Sequence, residues 1–380
     1  MGILVINAGS SSLKLSLFAG GQKECRNIDG SAREDLPDLI KAFCSESAAS
    51  LGAEAAKIEA VGHRVVHGGA KYAKSTLITD AVINDLKGYI ELDPSHEAAN
   101  IKAIEQARQA VPEATHLAVF DTTYHHDMPL ASQVYPGPYS WFADLGIRRY
   151  GFHGINHQYC VERVVDLTAG APTARIITCH LGSGGSLCAS LNGHSVMTTM
   201  GYTPLEGLVM RTRSGSIDPG IILVLLSHGY SGDRLNHLLN EESGLKGISG
   251  LSGDMREIEK EKAAQMETPG TGNPRAVLAF DIYEQSLATG IAGLVPTLGG
   301  LDALVFSGGI GEHSALVRST VCSRLAFLGV DIDETNNKAE GNERDISAAA
   351  TKVKTFVIAA GEDLAIAREC ARFCPAITAP

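Results

Sequence analysis

Three apolar runs in the sequence break into small residues, at NAGSSS from Asn7, HLGSGG from His180 and SGGIGE from Ser307. Without side chains in the way, backbone N–H groups at such junctions can approach a phosphate closely. Each junction also suits an ordinary tight turn, so the argument rests on finding three. None fits GxxxxGK[ST], and none fits GxGxxG after a first strand, which removes support from Walker and Rossmann folds. Phosphoryl transfer asks for positive charge on the equatorial oxygens, a metal on the leaving phosphates and a positioned nucleophile. Arg64 in GHRVVHGG sits at an apolar strand end, a costly place for an unpaired guanidinium. Arg213 lies in the turn-rich RTRSGSIDPG. Taken singly, each reads first as a structural ion pair.

Asp121 ends the run LAVFD, where the carboxyl end of an α/β sheet presents functional carboxylates, although a turn or N-cap aspartate fits equally. His153 in YGFHG reads by itself as a core histidine. Glu362 follows Gly361 at a helix start, where an acid also complements the helix dipole. Asp121, His125, His126, His153 and His157 could also be assembled into a metallohydrolase site. The spacing of His153 and His157 suits a helical ligand pair, but Gly151 and Gly154 suggest a turn there instead of a helix.

The elements that must hold these residues read as α/β. ILVINAGSSSLKLSLFAG from Ile3 returns as IITCHLGSGGSLCASLNG from Ile176, 173 residues later and without a gap. Each copy is a strand, a Gly/Ser turn and a second strand, with Asn7 and His180 in equivalent places. A duplicated domain follows, with two hairpin tips able to serve one ligand; chance likeness of two hairpins is the alternative. Ile101, Ile104, Ala107 and Val111 have helical spacing that stops at Pro112, and LAVF from Leu117 reads as a buried strand. LDALVF from Leu301 predicts a strand entering a turn at GGIGEH. VKTFVIAA from Val353 predicts another, ahead of a helix with Leu364, Ala367, Cys370 and Cys374 on one face. The polar stretches 257–275 and 333–351 are expected to be solvent loops or excursions.

At 380 residues the chain exceeds what one core usually holds, so two domains are expected. A net charge of −11 argues against a general nucleic-acid or anionic-membrane binder. Eight cysteines are too sparse for a disulfide framework, and the N-terminal run lacks a basic leader, which points to the cytoplasm. No apolar stretch is long enough to span a bilayer.

NAGSSSLK, GHRVVHGG, VFDTTYH, YGFHGINH, CHLGSGG, PLEGLVMRTRSGSIDPG, SGGIGE and GEDLAIARE resemble the acetate kinase family in order and spacing, over almost the whole chain. The resemblance implies two related actin-like lobes, each a mixed β-sheet flanked by helices: residues 1–121 with 363–380, and 122–362. Nucleotide would lie in the interdomain cleft, and the second lobe would form a homodimer. The implied reaction is reversible, direct in-line phosphoryl transfer from MgATP to acetate, giving acetyl phosphate and ADP. A propionate or short-chain carboxylate kinase is the near alternative, and an actin-like or Hsp70-like nucleotide switch the distant one.

The resemblance also implies roles. Arg64 and Arg213 would hold the carboxylate and the phosphoryl group, Asp121 would position Arg and metal-bound water, and His153 would stabilise the group in transfer. Asn7 and Glu362 would place Mg²⁺, with Mn²⁺ as a substitute, through its water shell. His180, Gly182 and Gly184 would surround the ATP phosphates, and Asp254, Arg256, Gly309 and Gly311 would border the nucleoside. The implied nucleotide contacts extend to Ser12, Lys14, Leu181, Ser183, Met255, Ile310, Glu312 and His313. Acyl contacts would be Val66, Ser95, His96, Phe152 and Pro204. This chain departs from the family pattern at Ser183, where Asn is usual, and at Arg211, where a small residue is usual. DPSHEAAN puts Ser95 where a leucine is expected and Ala98 and Ala99 where two prolines are. GED keeps Glu362 but loses the asparagine before it.

Overall fold

The structure, a computed structural model, describes residues 2–9, 12–29, 35–52, 55, 57–90, 94–168 and 174–374, with the side chains of residues 12, 29 and 94–96 outside the description. Two compact units result: Met1–His126 with Phe152–Tyr159 and Gly361–Pro380, and Asp127–Gly151 with Cys160–Ala360.

The first unit is built on β1 (Gly2–Ala8), β2 (Ser12–Ala19), β3 (Gln22–Asp29), β4 (Ile58–Val65), β5 (Thr76–Leu77) and β6 (Thr115–Phe120), in the order β3-β2-β1-β4-β6-β5. Strands β1, β4 and β6 run parallel, while β2, β3 and β5 are antiparallel to their neighbours. A strand covered on both faces must be apolar on both, and β1 meets that demand. Leu4 and Ile6 pack with the helices Leu36–Leu51 and Pro94–Ala110, and Ile3 and Val5 with the helix Glu362–Phe373. Gly62 in β4 permits that last contact. A methyl group there would stand 2.4 Å from Ile366 Cγ2 and 2.7 Å from Cys370 Sγ.

The second unit repeats the plan. β7 (Arg175–Leu181), β8 (Gly185–Leu191), β9 (His194–Thr198), β10 (Ala303–Ser307), β11 (Glu343–Asp345) and β12 (Lys354–Ile358) lie in the order β11-β12-β10-β7-β8-β9. Again the central three strands are parallel, with an antiparallel pair on one side and a single antiparallel edge strand on the other. The helix Pro274–Leu298, started by Asn273, packs Phe280, Leu287 and Ile291 on Ile177, Cys179 and Leu187. The two hairpins differ by one residue in the turn. Asn7 pairs with Lys14, seven positions on, but His180 pairs with Ser186, six positions on. An ungapped match in sequence therefore does not put equivalent side chains of β2 and β8 in the same register.

Four local expectations need correction. GGIGEH is a short helix, Gly308–His313, because Gly308 at φ 78° turns the chain out of β10 at once. Residues 255–267 form a helix capped by Asp254; several of its charges, Arg256 and Glu257 among them, face water, while Met255 and Ile258 are buried and Glu259 and Lys262 part-buried. GFHGINH enters the helix Gly154–Leu167, so His157 is helical, and the left-handed turn falls on His153 at φ 58°. The segment 333–351 contains the short helix Glu334–Lys338 and β11.

Among the described residues no helix is long and apolar enough to cross a membrane. All eight cysteines are free.

Buried histidines make the first unit acid-sensitive. His63 and His116 stack at 5.3 Å between ring centroids and share a 3.0 Å hydrogen bond. Burial lowers the pKa of both. Burial also takes His125 down to about 4, against the opposing pull of the Phe152 carbonyl and Asp121. An unfolded imidazole binds a proton near pH 6.5, and the folded one does not until about pH 4. Stability is thus complete above the unfolded value and is lost as pH falls through that window. His125 alone should cost about 2 kcal/mol at pH 5. Denaturant midpoints between pH 7.5 and 5 check this: His125→Gln should flatten the decline, and an unchanged slope would contradict it.

Candidate active site

Parallel β1, β4 and β6 deliver their carboxyl ends to one edge of the first sheet, which brings Asn7, Arg64 and Asp121 together. Arg64 Nε lies 3.1 Å from both carboxylate oxygens of Asp121, Nη2 is 2.6 Å from Oδ2, and Nη1 donates to Asn7 Oδ1 at 3.1 Å. Asp121 is 1% exposed and the Arg64 side chain 18%. Burial opposes the charge on Arg64, but Asp121 and then Glu362 outweigh it and raise the guanidinium pKa above its ordinary value. Glu362 starts the helix Glu362–Phe373 and is half-buried.

Small residues and amides fix this edge. Gly154 donates its N–H to the Asp121 carbonyl at 2.8 Å, and a Cβ there would stand only 2.3 Å from that oxygen. The approach holds His153 beside Asp121 in the chain path. His157 N–H returns to the His153 carbonyl at 3.0 Å. Asn100 accepts the Val66 N–H at 3.0 Å and donates to the Ala8 carbonyl at 2.7 Å, tying the chain beyond β4 to the end of β1. Val66 and Phe152 are buried, and the Phe152 ring meets His67 edge-on at 5.6 Å.

Lys14, on β2, forms an ion pair with Asp363 at 2.7 Å. Asp363 also accepts from Ser16 at 2.9 Å and meets Lys23 at 3.1 Å. Burial would raise the pKa of this carboxyl; its cationic partners, Lys14 first, bring it below the usual value. Ser12 lies on β2, and Ser95 and His96 on the first turn of the helix Pro94–Ala110, but their side chains lie outside the described residues.

The second unit contains a cavity of about 340 Å³. It gathers Gly182, Ser183, Asp254, Met255, Arg256, Gly309, Ile310 and His313, all singled out from sequence. The loop at its edge closes by a 2.8 Å bond from Gly182 N–H to the Gly184 carbonyl. Asp254 caps the helix Met255–Glu267 and holds Arg256 through Nε at 3.0 Å and Nη2 at 2.5 Å. Leu181 and Gly311 are buried behind the lining, and the Glu312 carboxylate accepts the Ala360 N–H at 2.9 Å. His180 is half-buried near the end of β7. Arg213 closes a tight turn by accepting the Met210 N–H at 3.2 Å, and Pro204 is half-buried in the irregular segment after β9.

Sequence reasoning missed four residues. Asn100, Asp363 and Glu259 are polar groups whose partners are distant in sequence; Glu259 lines the cavity and bonds Ser314. Arg318, 1% exposed, donates to the Gly311 and Glu312 carbonyls at 2.8 and 2.9 Å and so caps the helix Gly308–His313. The acid pair at 362–363 was the only available signal, since a helix start needs one acid and not two. Among the described residues no group of three or more His, Cys, Asp or Glu is placed to hold a metal ion.

The model of the acetokinase family matches residues 18–368. A protein named acetate kinase from Synechococcus sp. (strain JA-2-3B'a(2-13)) is 46% identical over 404 aligned positions, covering 97% of this chain and 98% of its own. Another of that name from Microcystis aeruginosa is 49% identical, covering 85% and 79%. Among solved structures, a propionate kinase from Francisella tularensis superposes with a TM-score of 0.86 at 36% identity, covering 98% and 99%. Porphyromonas gingivalis acetate kinase gives the same TM-score at 32% identity, with the same coverage. Likeness on this scale, with duplicated sheets and the Arg64–Asp121 edge in the matched span, means that the chain belongs to the acetokinase family.

Proposed function

We propose that the protein is an acetate kinase that moves the terminal phosphoryl group of MgATP reversibly onto acetate by direct in-line transfer. One observation carries the reading. A guanidinium has five N–H donors, and on Arg64 three are engaged by Asp121 and Asn7, leaving one on each Nη for a bidentate anion. Asp121 fixes the plane of that fork and secures its charge. Acetate is already ionised at neutral pH, so Asp121 has no proton to remove and serves as a positioning group. His153 and Arg213 supply further donors to the phosphoryl group in transfer. The left-handed φ of His153, at a cost of order 1 kcal/mol, suits a residue held for function.

The second unit's cavity takes the nucleotide: Gly182 and Ser183 serve the phosphates, and Met255, Gly309 and Ile310 serve the nucleoside. Asn7 and Glu362 offer oxygen donors, the type that Mg²⁺ or Mn²⁺ accepts through its water shell. The ion supplies charge neutralisation on the phosphates. The net charge of −11 and free cysteines support a cytoplasmic protein that binds neither nucleic acid nor membrane.

The partner we infer is a second copy of the chain. The helix Pro219–Ser227 reads PGIILVLLS, yet none of its residues is buried; Leu223 is 69% and Val224 53% exposed. A helix apolar all round needs a cover, and family membership supplies the occupant. Sedimentation at micromolar concentration should give a dimer, and Leu223→Asp with Val224→Asp a folded monomer. A monomeric wild type rejects the assignment.

Acyl phosphate trapped by hydroxylamine tests the reaction. Wild type should form acetyl hydroxamate with MgATP and acetate. Arg64→Ala should lower kcat by roughly 10²-fold or more while leaving ADP affinity nearly unchanged. ATP turnover without hydroxamate would instead favour a nucleotide switch.

For the acyl group the reading assigns Val66, Phe152 and Ser95. A serine where a leucine is usual leaves room for one more methylene, worth at most about 0.8 kcal/mol. Acetate should be preferred, propionate should follow within roughly tenfold in kcat/KM, and butyrate should be clearly poorer. Ser95→Leu should narrow the enzyme toward acetate. A wild type that prefers propionate overturns the acetate assignment and leaves the kinase standing.

A further inference from the structure

The 340 Å³ cavity of the second unit is lined by two arginines in different electrostatic states. Arg256 is engaged: Asp254 takes its Nε and Nη2 and the two charges cancel locally. Arg211 is exposed, and among the described residues no carboxylate forms an ion pair with it, though Asp254 lies near enough to feel its charge. Glu259, the other acid of the lining, is directed to Ser314, and burial raises its pKa toward the neutral form. The cavity therefore contains one arginine, Arg211, that no carboxylate grips directly, although Asp254, already held by Arg256, also feels its charge.

The backbone of Arg211 is pinned even though its side chain is not. Its N–H donates to the Ser183 carbonyl at 3.2 Å, and its own carbonyl accepts the Lys246 N–H at 2.9 Å. Gly253, at φ 79°, lets that carbonyl come close; a Cβ there would stand 2.8 Å from it. Arg211 is thereby tied to the Gly182–Ser183–Gly184 loop, the backbone-lined edge of the cavity. A guanidinium offered beside such a loop matches a phosphate in charge and in donor geometry.

Resting on the nucleotide reading of this cavity, we propose that Arg211 binds a phosphate of the nucleotide, adding a charged contact to the Gly/Ser loop. It acts on binding and takes no part in bond making. ADP and adenosine separate a phosphate contact from a structural one, because adenosine presents the same base and sugar without the anion.

Isothermal titration with ADP and with adenosine, for wild type, Arg211→Ala and Arg211→Gln, tests this. Both variants should lose about tenfold in ADP affinity, keep wild-type adenosine affinity and show a shallower dependence of ADP affinity on salt. Equal ADP affinity in wild type and both variants overturns the inference and leaves the nucleotide site intact. Equal losses for ADP and adenosine, or a lowered unfolding midpoint in both variants with no change in salt dependence, also overturn it by assigning Arg211 a structural role. Absence of ADP binding to wild type removes the nucleotide reading and the inference together.

Discussion

The carboxyl edge of the first sheet depends on how the buried charge of Asp121 is met. A carboxylate at 1% exposure is costly unless its charge is met, and here the nearest compensation is one guanidinium gripped along Nε and Nη2. Breaking such a pair by removing either partner strands a buried charge, at about 3–5 kcal/mol. The pair is therefore an anchor, and in the proposed reaction the same grip would orient the remaining N–H donors of Arg64. Asn100 and Gly154 belong to the same constraint. One ties the chain beyond β4 to the end of β1, and the other lets the chain entering the next helix touch the Asp121 carbonyl.

Duplication explains how one topology meets two demands. Both sheets place three parallel strands beside a hairpin, so both present a loop and several strand ends at one edge. In the first unit that edge is charged, with Asn7, Arg64 and Asp121. In the second it is mostly backbone, with glycines at 182, 184, 308 and 309 and the arginines at 211 and 256 around them. The one-residue difference in the hairpin turns marks where the copies parted: Lys14 turns to Asp363, while the corresponding stretch of β8 is buried.

Much of this was legible in the sequence, and the reasons are physical. Apolar runs bounded by glycine gave the strands, and the 173-residue repeat gave the duplication. The strand ends at GHRV and LAVFD put Arg64 and Asp121 at one sheet edge, where Arg64 read first as a structural ion pair and does pair with Asp121. Charge content misled at 257–275, because a helix needs only a narrow apolar stripe and Met255 and Ile258 supply it. The third glycine junction was misread because Gly308 looks alike before a turn and before a helix. Asn100, Asp363 and Arg318 were invisible for another reason: each earns its place through contacts that exist only after folding. No local pattern records that Asp363 answers Lys14 across almost the whole chain.

That last contact has a consequence in time. Ile3 and Val5 on β1 are covered by Ile366 and Ala367, and Gly62 is kept bare to admit the same helix. On a ribosome adding ~5–20 residues per second, the strand waits roughly 20 to 70 s for its cover. The second unit's core waits less, its members running from Ile177 to Val353. The half begun first is thus the last to receive all of its core residues, and until then one face of its sheet lacks its apolar cover.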